Sequence, residues 1–236
     1  MPTAPRYIFD TQPGTWQELE LLVEQAFAEM GYESHRDHEL VTVRGKVKID
    51  VYAVKQSTPI PTVVLCECKH WSKAVEQHVV HGFRSVCSDV GAHFGLIISK
   101  AGFQSGAEKT SEATNIHLLD FRAFQETYFE EWRTGAFMKF VQMTDALMPL
   151  ITNSCMSKNP ALESKLQGVK PFVKYEMFFG EHRFSAYFVE QNDLPVEVVD
   201  PRGDPRDIKR ITIASFREYF DIASQGATDA RKHFSI

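Results

Sequence analysis

Long apolar runs are missing from this chain: no stretch of its 236 residues approaches the ~20 apolar residues that a membrane helix needs. Cysteine is scarce. Cys66, Cys68, Cys87 and Cys155 show none of the spacing of a disulfide framework. The opening MPTAPRYIFD lacks the basic and apolar regions of a secretory signal. These absences predict a reducing, cytoplasmic setting and no membrane partner. Positive charge is not in excess either. Net charge is −5, all of it arising in residues 1–136, which hold 13 Lys and Arg against 18 Asp and Glu; residues 137–236 balance. A broad electrostatic grip on a polyanion is thereby excluded. Any such contact must use local patches such as Arg44, Lys46 and Lys48, or ions that offset carboxylates. Internal repeats and low-complexity tracts are absent as well.

What remains is an ordinary globular composition, 43% apolar and 24% charged, long enough for one large domain or a domain with an appendage. GTWQELELLVEQAFAEMGY starts a helix, with Thr15 as cap and Glu18 completing a capping box. Trp16, Leu19, Val23, Ala26, Phe27 and Met30 recur at helical spacing, and Gly31 ends the run. Leu40–Val43 and Val47–Val54 read as a hairpin about Arg44–Gly45–Lys46, and Thr62–Lys69 as a third strand. Residues 72–90 read as helix, 94–99 as strand, 103–113 as helix and 115–120 as strand. This order, α-β-β-β-α-β-α-β, predicts an α/β fold with a mixed sheet and helices on its faces. A helical, aromatic-rich stretch follows to Leu150, then a polar linker over 152–171. KYEMFF, RFSAYFV, VEVVD and DIKRITI predict a small sheet beyond it, closed by a helix around 215–224. The Arg202–Gly203–Asp204 triplet lies between prolines and reads as a turn.

The stretch VVLCECKHW, residues 63–71, alternates two chemistries. In a strand, alternate side chains share a face about 7 Å apart. Cys66, Cys68 and His70 therefore point one way, and Glu67, Lys69 and Trp71 the other. A zinc site on the first face needs four converging ligands. A C-x-C pair on an extended strand spreads its sulfurs, and only His78 and His81 stand nearby in sequence. Packing of the cysteines as small hydrophobes is the simpler reading. On the second face, Glu67 and Lys69 follow an apolar run and lie at the end of a central strand. Asp50, inside KVKIDVYAV, sits in a strand able to pair with 62–69. Two carboxylates at close quarters repel unless a cation lies between them, which oxygen-liganded Mg²⁺ provides. Glu20 flanks the apolar stripe of the first helix and faces the sheet.

Asp50 followed by Glu67-x-Lys69 resembles the PD-(D/E)xK nuclease superfamily, and within it the Mrr-type restriction endonuclease group. The resemblance covers about residues 15–125. LELLVEQAFAEMGY is similar to the first helix of that group, with Glu20 at its acidic position. The stretch from Val86 to Phe124 is similar to the part after the catalytic strand, including Gly102–Phe103, Gly106–Ala107 and the Ile116–Leu118 pair. This chain departs from the group in two places. Gly45-Lys46-Val47-Lys48-Ile49 precedes the aspartate where a glycine-rich acidic stretch is common, and Glu67 stands where glutamine is common. The resemblance implies a restriction-endonuclease-like αβββαβ core in residues 1–125. A helical connection over 126–170 and a small C-terminal α+β appendage over 171–236 then complete the chain. It also implies a Mg²⁺-dependent DNA endonuclease of restriction or anti-phage defence, with Mn²⁺ able to substitute. Asp50, Glu67 and the Cys68 carbonyl are then metal ligands. Lys69 positions or deprotonates water, and Glu20 serves a second metal or its water. Gln77, in the helix after the strand, contacts the site or a phosphate, and Lys73 and Arg84 meet backbone phosphates.

Two further readings stay open at this level. One is a nuclease-fold module that has lost catalysis and binds nucleic acid or protein; the other is the zinc reading of Cys66, Cys68 and His70. A homodimer is expected, because cutting both strands calls for two symmetry-related sites. Residues 171–236 fit dimerisation, substrate selection or a regulatory partner or ligand equally well.

Overall fold

A computed structural model describes residues 6–147, 194–200 and 209–234. The predicted linker over 152–171, the KYEMFF and RFSAYFV strands, Cys155 and the Arg202–Gly203–Asp204 turn lie outside the described residues. Contacts divide the chain into Ile8–Trp132 and a second unit of Met1–Tyr7 with Arg133–Ile236.

The first unit opens with helix α1, Trp16–Glu29. Thr15 accepts from the Glu18 backbone N–H at 3.2 Å, while the Glu18 carboxylate reaches back to the Gly14 N–H at 2.7 Å. The return bond thus lands one residue before the cap. At the other end Tyr32 N–H bonds Phe27 C=O and Gly31 N–H bonds Ala28 C=O. That exit needs the left-handed conformation, which Gly31 takes at φ 87°. The buried stripe is Leu19, Glu20, Val23, Ala26 and Phe27. Trp16, expected in it, is exposed instead.

The sheet is mixed and its five strands run in spatial order β1-β2-β3-β4-β5. They are β1 Glu33–Thr42, β2 Gly45–Lys55, β3 Thr62–Lys69, β4 Phe94–Ser99 and β5 Ile116–Leu119. β1, β2 and β3 pair antiparallel; β3, β4 and β5 pair parallel through helical crossovers. Those crossovers carry α2, Gln77–Asp89, and α3, Ser105–Ser111, and α4, Phe121–Asp145, follows β5. The predicted α/β order is therefore the observed one. Up to β5, two boundaries differ by more than two residues. β1 begins at Glu33 rather than Leu40, because an edge strand with both faces largely in water carries no apolar alternation to announce it. α2 begins at Gln77 rather than near 72, because Val75 is buried and paired to the loop before α3, giving its N–H to Gly102 and accepting from Gln104.

β3 is central, and Val64, Leu65 and Cys66 are buried. One core cluster joins Leu65, Val80, Phe83, Cys87, Ile97 and Ile116. Gly95 is there because nothing larger fits: an added Cβ would stand 2.6 Å from Ile116 Cδ1, 2.8 Å from Cys87 Sγ and 2.9 Å from Phe83 Cε1. Gly95→Ala should therefore cost about 2 kcal/mol by overpacking, read as a lower urea midpoint at unchanged slope. Phe27 anchors a second aromatic group with Tyr32, Phe124 and Tyr128.

In the second unit, β6 Val196–Val199 pairs antiparallel with β7 Arg210–Ile213. Helix α5, Phe216–Phe234, follows and buries Phe216, Tyr219, Phe220, Ala223 and Ala227.

Candidate active site

The site forms where β2 and β3 part. Their ladder runs from Lys55↔Thr62 to Val51↔Cys66 and stops one step short of setting Asp50 opposite Glu67. Freed from that pairing, the Asp50 carboxylate accepts the Cys68 backbone N–H at 2.7 Å. Lys69 lies on the same face as Glu67, as strand alternation requires. Its ammonium forms a hydrogen-bonded ion pair with Glu67 and stands 3.8 Å from Asp50 Oδ2. One cation thus touches both acids, and all three side chains are mostly shielded from solvent, Lys69 at 14% exposure. The Lys69 ammonium also lies 5.2 Å from the Trp71 ring centre, a cation–π contact that limits its swing.

Burial raises the Glu67 carboxyl above the usual range, the charge of Asp50 adds to the rise, and Lys69 opposes it. Glu20, on α1, is 6% exposed and has no hydrogen-bond or ion-pair partner among the described residues. Burial first, then the charges of Asp50 and Asp37, push it up to about 7, against Arg36 and Lys69. Glu20 therefore belongs to the electrostatics of the Asp50 cluster. Asp37 does too, although sequence reasoning passed it over. It sits on the polar edge strand at φ 55° and pairs with Lys48 at 2.8 Å. Its signal was an acid three positions from Leu40 in a stretch with no visible period.

The remaining predicted residues are placed elsewhere. Gln77 lies at the start of α2 with its amide nitrogen 3.1 Å from His81 Nε2 and its side chain over Gly106; no hydrogen bond joins it to Asp50, Glu67 or Lys69. Lys73 and Arg84 are exposed. The Arg44, Lys46 and Lys48 patch is largely neutralised by Asp89 at 3.6 Å, Glu39 at 2.6 Å and Asp37.

The opposite face of β3 offers no soft-metal chemistry. Cys66 and Cys68 are buried, and burial raises both thiols well above their ordinary range. Zinc needs thiolates, which that environment disfavours. His70 turns its Nε2 toward the Pro13 carbonyl at 3.3 Å. Among the described residues no three His, Cys, Asp or Glu side chains converge as a metal-binding group. A hard divalent ion is compatible with fewer, since Mg²⁺ commonly rests on one or two carboxylates and fills its shell with water and phosphate oxygens. The donor set fits it: two acids that repel each other, meeting at a backbone segment.

Residues 12–128 match the family model described as restriction endonuclease, the Mrr catalytic domain. They form an Mrr-type restriction endonuclease domain. No curated protein matches the chain. Solved structures with local similarity include the following three. A protein of unknown function, AF1548, is 16% identical over 44% of this chain and 57% of its own, with a TM-score of 0.37. The DNA modification-dependent restriction endonuclease AspBHI is 16% identical over 54% of this chain and 40% of its own, with a TM-score of 0.31. MspJI restriction endonuclease in complex with a 27-mer oligonucleotide is 19% identical over 49% of this chain and 28% of its own, with a TM-score of 0.29. This chain thus spans less than two thirds of each of them. The Mrr-type domain coincides closely with the compact unit that holds Asp50, Glu67, Lys69 and Glu20.

Proposed function

We propose that the Mrr-type domain is a divalent-metal-dependent endonuclease that hydrolyses DNA phosphodiester bonds, in the cytoplasm, as part of restriction or anti-phage defence. The observation that carries this reading is the single ammonium of Lys69 set against both Asp50 and Glu67. Asp50, Glu67 and the Cys68 carbonyl would hold Mg²⁺ or Mn²⁺, with Glu20 as the further acid. When bound, the ion supplies Lewis acidity and positive charge at the scissile phosphate. Lys69 orients the attacking water and keeps a proton at Nζ that offsets negative charge growing on the phosphoryl oxygens. The Cys68 N–H fixes the Asp50 carboxylate, and Trp71 restrains the lysine. A symmetric pair of domains gives one site per strand, and residues 171–236 are the segment to carry a regulatory partner.

Supercoiled plasmid, linear duplex, methylated DNA and RNA, each with Mg²⁺, Mn²⁺ or EDTA, test the proposal directly. Nicking or linearisation of DNA that needs either ion and stops in EDTA is the expected result. DNA retained in a gel shift yet intact under every ion would identify the silent binding module instead.

A further inference from the structure

Beside the acid cluster lies a stack of three rings that the hydrolytic reading leaves unused. The His38 ring stacks on Tyr52 at 4.6 Å between centres and 21° between planes, and His35 stacks on His38 at 5.8 Å and 23°. A local break in the β1–β2 ribbon brings them together. The register is continuous from Glu33↔Val54 to Thr42↔Gly45 except at one step, Asp37 with Asp50. Asp37 turns to φ 55° there. His35 and His38, three apart, would point to opposite faces of a regular strand; the turn at Asp37 lets both rings join one stack. The break that creates the stack is thus the one that holds Asp50.

Register also places the stack against the site. Tyr52 is the cross-strand partner of both His35 and Leu65. Glu67 is two residues beyond Leu65 on the same face, about 7 Å along β3. β1 and β3 lie about 10 Å apart, two strand spacings. A strand whose phosphate is held at Asp50, Glu67 and Lys69 therefore brings a neighbouring nucleotide over these rings. In an intact duplex that nucleotide's base is paired and stacked within the helix. Only an unpaired base can lie on a side-chain ring, and such stacking is a major contact in single-strand recognition. The stack is open to receive one: the His35 side chain is 49% exposed and tethered through its ring to Glu33 at 3.1 Å.

We infer that His35, His38 and Tyr52 form a stacking platform for an unpaired nucleobase of the strand being cut, so that the domain prefers DNA with an unpaired nucleotide beside the scissile phosphate. The inference deepens the nuclease reading and rests on it for the word scissile. Its bland competitor is that the rings only stabilise the sheet as cross-strand neighbours.

Gapped duplexes carrying 2-aminopurine at successive unpaired positions separate the two, with fluorescence read in EDTA and cleavage read in parallel with Mg²⁺. Wild-type protein should quench the probe at one or two adjacent positions, and His38→Phe should retain that quenching. The double substitution His35→Ala with His38→Ala should lose it and weaken binding of the gapped duplex about tenfold. Preference for gapped over fully paired DNA should fall with it. Glu67→Gln should abolish cleavage and keep the quenching. Unchanged quenching in the double variant, or none in the wild type, overturns the platform while leaving cleavage to be judged by itself. Position-specific quenching by a wild type that cuts nothing would sink the nuclease reading and leave the platform standing.

Discussion

Lys69→Ala is expected to slow DNA cleavage about 10³-fold, the size of loss that follows removal of one preorganised charge-stabilising group. Two effects of the same ammonium combine in that figure. In the proposed reaction it offsets charge developing on the phosphate, and it is the group that opposes the upward shift of Glu67 caused by burial and by Asp50. Without it, the rise that burial and Asp50 impose on Glu67 goes unopposed, and a divalent ion needs the carboxylate. Measured from pH 6 to 9, residual activity of Lys69→Ala should climb with pH more steeply than that of the wild type, because nothing opposes the upward shift of Glu67. Lys69→Arg keeps the charge but presents a planar fork where a compact ammonium sits between two acids, so it should recover only part of the loss. Single-turnover rates on plasmid DNA across that range decide the matter; a Lys69→Ala protein as fast as wild type would remove Lys69 from the chemistry.

The site was legible from sequence to the degree that strand alternation encodes direction. Parity alone put Glu67, Lys69 and Trp71 on one face and the thiols on the other, and the fold keeps that division. Glu20 was legible because it borders a stripe of period 3.6 on α1. Trp71 was noted on the right face, but its contact with Lys69 depends on how the chain leaves β3, which no spacing states. Gln77 illustrates the opposite case. It lies early in the helix after β3, yet its side chain is engaged by His81 at i+4 and Gly106 on α3.

The fold was legible wherever burial imposes a period and illegible where it does not. β3 and β4 are buried through much of their length and announced themselves as apolar runs. The first half of β1 reads ESHRDHE, polar on both faces and broken at Asp37, so neither alternation nor a turn residue marks it. Missing that half also hid the partners of the basic patch. Glu39 and Asp37, on β1, pair with Lys46 and Lys48 on β2, and Asp89 reaches Arg44 from the end of α2. An ion pair between residues far apart in sequence needs the sheet register before it can be seen.

Glu20→Gln should stabilise the protein above pH 7 by about 1–2 kcal/mol, with little change near pH 4.5. Glu20 has its carboxyl raised from 4.5 to about 7 in the folded state, first by burial and then by the charges of Asp50 and Asp37. The folded chain consequently binds more protons than the unfolded chain between those two values. Stability must then fall as pH rises through that window, and the full penalty is present above it. Glutamine cannot ionise, so the variant escapes the penalty. Urea denaturation in EDTA at pH 4.5, 6 and 8 should show the two proteins diverging as pH rises. A divalent ion beside Asp50 would favour the ionised Glu20 and counter that penalty. Added Mg²⁺ at pH 8 should therefore raise the midpoint of the wild type more than that of Glu20→Gln. A buried acid that weakens the fold at neutral pH, with no hydrogen-bond or ion-pair partner among the described residues, is hard to account for by packing. Its cost is understandable if a cation is its partner, and equal Mg²⁺ responses in the two proteins would show that Glu20 has no such role.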